Sequence, residues 1–314
     1  MQIYNKIEDL IFIRFPIIFP LIFLLILELF PSYENYLIIF VLFALAEPHF
    51  AATWPVFLDK QNKFYLIEKK FYLIYGTLLI SICSLALFFF NKHLFFFIFY
   101  IANIFHVTRQ SVGVCKLYSK GLGGFNYQES SIYLFNIAFI IIGFLRFYLN
   151  VDLFSNLILL NILVLGLIIL NLIVYNLIYK NFENSLTMLT GILIFLPVCF
   201  VEKPIHVILM GVTMHYSQYL IITSKVNFAR NGKLIKSFKN LIKNLFTSKF
   251  LYFLLIYSLV MTSFSTLSNP SSEIFSSLII IPLIGQMIHF YIDSFIWKFS
   301  EQHNREVTLK HIVS

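Results

Sequence analysis

The sequence predicts an all-α protein, a polytopic helical bundle embedded in a membrane and forming a single transmembrane domain over residues 1–314. Three observations carry that expectation. The chain is 59% hydrophobic and only 12% charged, where soluble domains run near one half and one quarter. Apolar runs close to the roughly 20 residues that cross a hydrocarbon core recur between short polar breaks. When the loops are assigned alternately to the two faces, Lys and Arg collect on one of them, as cytoplasmic loops do.

Ten spans follow, near 10–30, 36–58, 71–90, 94–115, 131–149, 155–179, 185–201, 204–224, 250–268 and 273–297. The first holds Arg14 and Pro16, is long for a signal-peptide core and has no small-residue cleavage site, so it reads as a retained span. Lys6, Arg14, Lys60, Lys63, Lys69, Lys70, Lys116, Lys120, Lys180, the run from Lys225 to Lys249, Lys298, Arg305 and Lys310 fall on the cytoplasmic side. Only Lys92 and Lys203 lie in loops opposite. Ten spans with both termini cytoplasmic is the count that preserves this separation, and an odd count scrambles it. The expected location is a cell membrane of the bacterial inner-membrane kind. The net charge of +8 then reports topology, not a nucleic-acid partner. Cys83, Cys115 and Cys199 stand singly inside apolar segments, which fits packing and neither a metal knuckle nor a disulfide framework.

One loop has a pattern of its own. Within residues 226–248, Leu234, Ile235, Phe238, Leu241, Ile242, Leu245 and Phe246 recur at helical spacing, with Lys233, Lys236, Lys239 and Lys243 between them. This predicts an amphipathic helix lying on the anionic cytoplasmic leaflet.

The functional signal lies in the histidines. His303 and His311 fall in the polar tail, and His93 and His206 at extracellular span ends. His49, His106, His215 and His289 fall inside the second, fourth, eighth and tenth spans. Lys60 follows His49 by 11 residues, Lys116 follows His106 by 10, Lys225 follows His215 by 10 and Lys298 follows His289 by 9. At 1.5 Å per residue all four lie about 15 Å from the cytoplasmic charge layer, in one stratum near the midplane. Thr53, Gln110, Tyr219 and Asp293 each follow one of them by four residues, on the same helix face. Glu47 and Arg109 join the layer. A lone intramembrane His often only hydrogen-bonds a neighbouring helix; four in register would make that a coincidence, and ionisable groups within spans mark function by default.

Neutral imidazole is a common ligand for zinc, copper and iron. Four converging on a six-coordinate Fe(2+) leave two positions for dioxygen and a water or substrate, whereas four on tetrahedral zinc leave none. Asp293 and Gln110 are then expected to orient the ligands, which need their second ring nitrogen fixed. Arg109 is expected to pair with Asp293 or Glu47, since an unpaired guanidinium at this depth is costly. A haem held by two of the histidines, as in a membrane cytochrome, is an alternative. So is a proton-coupled transporter in which the histidines, Glu47, Arg109 and Asp293 form a relay. Against a transporter, no matched pair of interrupted spans is found. Against a di-iron desaturase, no HxxxH or HxxHH set occurs.

The order Pro48-His49, His106 with Arg109-Gln110, His215-Tyr216, and "HFYIDSFIWK" carrying His289 and Asp293 resembles the Brp/Blh-like β-carotene 15,15′-dioxygenase family. Some 40 residues take part, and the chain has Thr53 and Gln110 where that family has Asp after its first two His motifs. The resemblance implies an iron(II) enzyme that cleaves a conjugated polyene with dioxygen and releases an aldehyde such as retinal. The substrate expected on either ground is a hydrophobic small molecule entering from the lipid bilayer.

Overall fold

The computed structural model describes residues 2–149, 157–233, 235–268 and 276–313. The described residues are 86% helix, with no strand among them. In chain order the helices are α1 (Lys6–Arg14), α2 (Ile18–Leu29), α3 (Pro31–Phe57), α4 (Phe71–Phe90), α5 (Lys92–Tyr118), α6 (Phe125–Tyr148), α7 (Ile158–Tyr179), α8 (Phe182–Leu193), α9 (Pro204–Arg230), α10 (Phe238–Phe246), α11 (Lys249–Leu267) and α12 (Ser277–Ile296). Seven of the described helices, α3, α4, α6, α7, α9, α11 and α12, are long and apolar enough to cross a membrane.

The remaining three expected spans differ, each for a local reason. The stretch near 10–30 is bent by 51° between α1 and α2, where Pro16 has no N–H to continue the helix. The stretch near 94–115 lies inside α5, which is about 40 Å long but less apolar because it carries Lys92, Arg109 and Lys116. The stretch near 185–201 is divided: α8 stops at Leu193 and Leu196–Cys199 is a 3-10 turn. Leu193 is four residues before Pro197, whose ring would crowd that carbonyl. The outer ends of the stretches near 155–179 and 273–297 begin outside the described residues.

The amphipathic element is shorter than 226–248. Residues 226–230 continue α9, which Gly232 ends at φ 75°, and Leu234 lies outside the described residues. Helix α10 starts only at Phe238, where the Ser237 hydroxyl accepts the Asn240 N–H at 3.3 Å. Leu241 is buried while Lys239 and Lys243 are exposed, so the two-faced character holds over this shorter length.

The chain forms two compact units, residues 1–37 with 104–218 and residues 38–103 with 219–314. In the first unit buried polar groups knit the helices. Arg14 donates to Asn184 Oδ1 at 3.2 Å and lies 4.1 Å over the Tyr118 ring. Thr190 donates to the Arg14 carbonyl, and Asn136 donates both to Thr108 and to the Gly191 carbonyl. Helix α9 meets the end of α8 at Gly211, where an added Cβ would sit 1.7 Å from the Ile194 carbonyl oxygen. Only a glycine permits that approach, one turn before His215 on the same face.

In the second unit, Ala51 and Ala52 of α3 pack with Tyr219, Phe250 and Leu254 in one buried cluster. Helix α12 packs on α4, where the Tyr291 hydroxyl donates to the Tyr72 carbonyl at 2.9 Å. Helix α3 contains a π-turn over Leu42–Ala46 immediately before Glu47, Pro48 and His49. The C-terminal segment is not a free polar tail: Arg230 binds the Val56 and Val307 carbonyls and the Thr308 hydroxyl, and His303 stacks on Tyr65.

Gly211→Ala should therefore lower the thermal unfolding midpoint or the yield of folded protein, by at least the roughly 1–3 kcal/mol typical of overpacking. Gly166→Ala, which meets nothing within 4 Å, should be neutral or mildly stabilising; equal midpoints for the two variants would contradict the close contact.

Candidate metal centre

All four histidines singled out by depth are buried: His49 to 1% exposure, His106 to 8%, His215 to 2% and His289 to 0%. Each unit holds one pair. In the first, His106 on α5 and His215 on α9 have ring centroids 6.1 Å apart at 85°, with ligand nitrogens within 4.8 Å of each other. The Thr108–Asn136–Gly191 bonds fix α5 two residues from His106, and Gly211 fixes α9 one turn from His215. Gln218 donates to the Ile13 carbonyl.

The second unit shows the more developed site. His49 and His289 have ring centroids 4.6 Å apart at 64°. Thr53, one turn after His49, lies 2.7 Å from His289 Nδ1 and donates to Asp293 Oδ1 at 3.0 Å. Tyr219 donates to the same carboxylate oxygen at 2.9 Å and accepts the Trp297 indole N–H at 3.3 Å. With Thr53's one proton given to Asp293, its lone pair takes the His289 Nδ1–H. That leaves Nε2 as the lone-pair atom of the ring, facing Asp293 Oδ2 at 3.6 Å. A nitrogen lone pair beside a carboxylate oxygen, each oriented from behind by a hydrogen bond, is the arrangement that ligating groups require. Phe50, edge-on to His289 at 5.0 Å, adds an apolar wall.

The other expected site residues divide. Glu47 is buried to 1%, with Gln286 Nε2 3.5 Å from Oε1. Gln110 is half-buried. Arg109 departs from expectation: it is exposed, on a stripe with Ile101 and Phe105, and forms no ion pair among the described residues. A pairing partner is not needed there, because an exposed guanidinium on a long stem can extend to a polar environment. Asp293, expected to orient ligands from behind, stands beside His289 as a donor in its own right. Thr53 and Tyr219 were legible as neighbours of His49 and His215; their bonds instead run across helices to His289 and Asp293. Trp297 was missed, although His289, Asp293 and Trp297 repeat at four-residue spacing on one face. His206 is also buried, 3.2 Å from Glu34, and not merely at a span end.

No family model, no curated protein and no solved structure matches the chain.

Thr53→Val and Tyr219→Phe each remove a donor from a buried carboxylate and should each cost about 1–3 kcal/mol in unfolding free energy. Because both act on Asp293 Oδ1, the double variant should cost less than the sum. Strict additivity in a denaturant series would mean that the two donors do not share that acceptor.

Proposed function

We propose that this chain is an integral membrane metalloenzyme that oxidises a lipid-soluble substrate with dioxygen, using non-haem iron held by buried histidines. The observation that carries the reading is the oriented pair of His289 Nε2 and Asp293 Oδ2, 3.6 Å apart, with the His49 ring alongside. Two histidines and a carboxylate with positions left open suit iron(II) in oxygenases. Softer thiolate donors are absent from the set, since Cys115 and Cys199 are buried elsewhere and Cys83 is exposed. The common depth of the four histidines, read from the sequence, supports His106 and His215 as further ligands of the same ion.

Iron bound there would supply activation of dioxygen and the oxidising equivalents. The chain's own residues do the rest. Thr53 fixes the His289 tautomer, Tyr219, itself held by Trp297, holds the carboxylate, and Phe50 keeps water from the imidazole. Buried donors in an apolar bundle suit a substrate that arrives from the lipid. The likeness of the Pro48-His49, His106, His215 and His289-Asp293 motifs to the carotenoid-cleaving family makes a conjugated polyene the substrate class to assay first, with an aldehyde such as retinal as product. The topology that accompanies this reading has ten spans, both termini cytoplasmic, and α10 on the cytoplasmic leaflet.

Metal analysis of the purified protein tests the centre directly. One iron per chain without a haem Soret band is expected, with iron lost in His49→Ala, His289→Ala and Asp293→Ala and kept in His303→Ala. His106→Ala should also lose iron if one ion is shared; full iron in both His106→Ala and His289→Ala would sink the proposal.

Topology is tested separately. Reporters at Lys63, Lys120 and Lys239 should read cytoplasmic and one at Lys203 external, and agreement between Lys203 and Lys239 would overturn the ten-span count.

A further inference from the structure

About half a turn along α3 from His49 begins a group of oxygen donors that the iron reading leaves unused. Glu47 is buried to 1%, Ser258 to 0% and Thr262 to 6%. Glu47 Oε2, Ser258 Oγ and Thr262 Oγ1 have no hydrogen-bond partner among the described residues. Helical Ser and Thr hydroxyls commonly bond the carbonyl a turn earlier; these two do not.

The three share one seam. Phe250, Leu254, Ser258 and Thr262 form the buried stripe of α11 at four-residue spacing. Phe250 and Leu254 at its inner end pack on Ala51 and Ala52 of α3. Glu47 lies one turn before Ala51 on the same face of α3, and α11 packs along both that segment and the π-turn. Running antiparallel, the stripe brings Ser258 and Thr262 to the level of Glu47 and the π-turn. Helix α12 closes the third side, with Gln286 at Glu47, and Tyr257 touching the adjacent Gly285. Counting gives the same level: Glu47 is 13 residues from Lys60, Thr262 is 13 from Lys249 and Gln286 is 12 from Lys298.

The backbone adds one more oxygen. At the π-turn the Glu47 N–H goes to the Leu42 carbonyl, and Pro48 has no N–H to give. The Phe43 carbonyl is thereby left without its α-helical donor and without its π-helical one.

We propose that Glu47 Oε2, Ser258 Oγ, Thr262 Oγ1 and the Phe43 carbonyl bind one dehydrated monovalent cation of the sodium class, with the Gln286 amide N–H holding the second Glu47 oxygen. Oxygen-only donors select a hard cation over the softer metals that imidazole prefers. Carbonyls released by an interrupted membrane helix are the backbone groups that coordinate sodium in transporters. A single carboxylate balances one positive charge, whereas a divalent ion would leave a net charge buried in the bilayer. The site is chemically separate from the histidines and needs no iron.

The test uses the full-length protein in lipid nanodiscs, with NaCl replaced stepwise by choline chloride at constant ionic strength, and the thermal unfolding midpoint as readout. A ligand that binds the folded state raises that midpoint saturably. The expected result is a saturable rise with sodium and none with choline. Ser258→Ala and Thr262→Val should each shift half-saturation about three- to tenfold toward higher sodium, and Glu47→Gln should abolish the response. If Glu47→Gln does not fold, the two hydroxyl variants decide alone. A wild-type response identical in sodium and choline, or half-saturation unchanged in both hydroxyl variants, would overturn the site.

Discussion

A carboxylate inside an apolar helical bundle must be answered by donors, and the second unit is organised around the answer given to Asp293. Its Oδ1 takes hydrogen bonds from Thr53 on α3 and Tyr219 on α9 while the residue itself rides on α12. Three helices are thus locked at one level by a single acceptor. Each donor is held in turn, Thr53 by His289 and Tyr219 by Trp297, so none is free to rotate without exposing another unsatisfied group. The apolar packing of Phe250 and Leu254 against Ala51 and Ala52 supplies the attraction; the polar cluster supplies the register. Apolar contacts alone tolerate sliding by a turn, and this network does not.

That division explains what could be read from the sequence. Long apolar runs with terminal lysines located α3, α4, α6, α7, α9, α11 and α12, because membrane insertion depends on hydrophobicity summed over a window, which is a property of composition. Helix α8 was misjudged because the effect of Pro197 on Leu193 is local backbone geometry that a hydropathy sum ignores. The burial of His49, His106, His215 and His289 was legible because an imidazole inside a long apolar run has to find protein neighbours. The direction of each side chain around the helix was less so. Arg109 is three residues from His106, and the small angular offset between them is enough to place one inside and the other on the exposed stripe. The first unit's buried amides, Asn136 and Asn184 among them, were invisible as a network, since single polar residues in apolar runs carry no mark of which helix they will meet.

Donor hardness is graded along α3. Glu47 and the Phe43 carbonyl present oxygen, His49 two residues later presents nitrogen, and Thr53 a turn beyond serves only to orient. A π-turn lengthens the helix locally by one residue and so rotates everything before it relative to everything after. The same irregularity that releases a carbonyl also sets the angle of Glu47 and His49, which point to nearly opposite sides of the helix, relative to the segment preceding Leu42. Removing one residue from that turn would swing the histidine by about 100° relative to the segment before it, so the turn sets the direction of the His49 side chain.

The discontinuous make-up of the first unit bears on how the chain comes to be folded in time. Arg14 finds its partners at Asn184 and Thr190, 170 and 176 residues downstream. At ribosomal speed that separation is roughly 10–30 s of synthesis, an interval in which the guanidinium lacks the Asn184 amide oxygen and the Arg14 carbonyl lacks the Thr190 hydroxyl, so that water must satisfy both. The entry segment must wait while residues 38–103 of the other unit are made. Its final seating is therefore a late event, with a delay set by the ribosome and not by diffusion, and a chaperone able to shield one cation would meet the need.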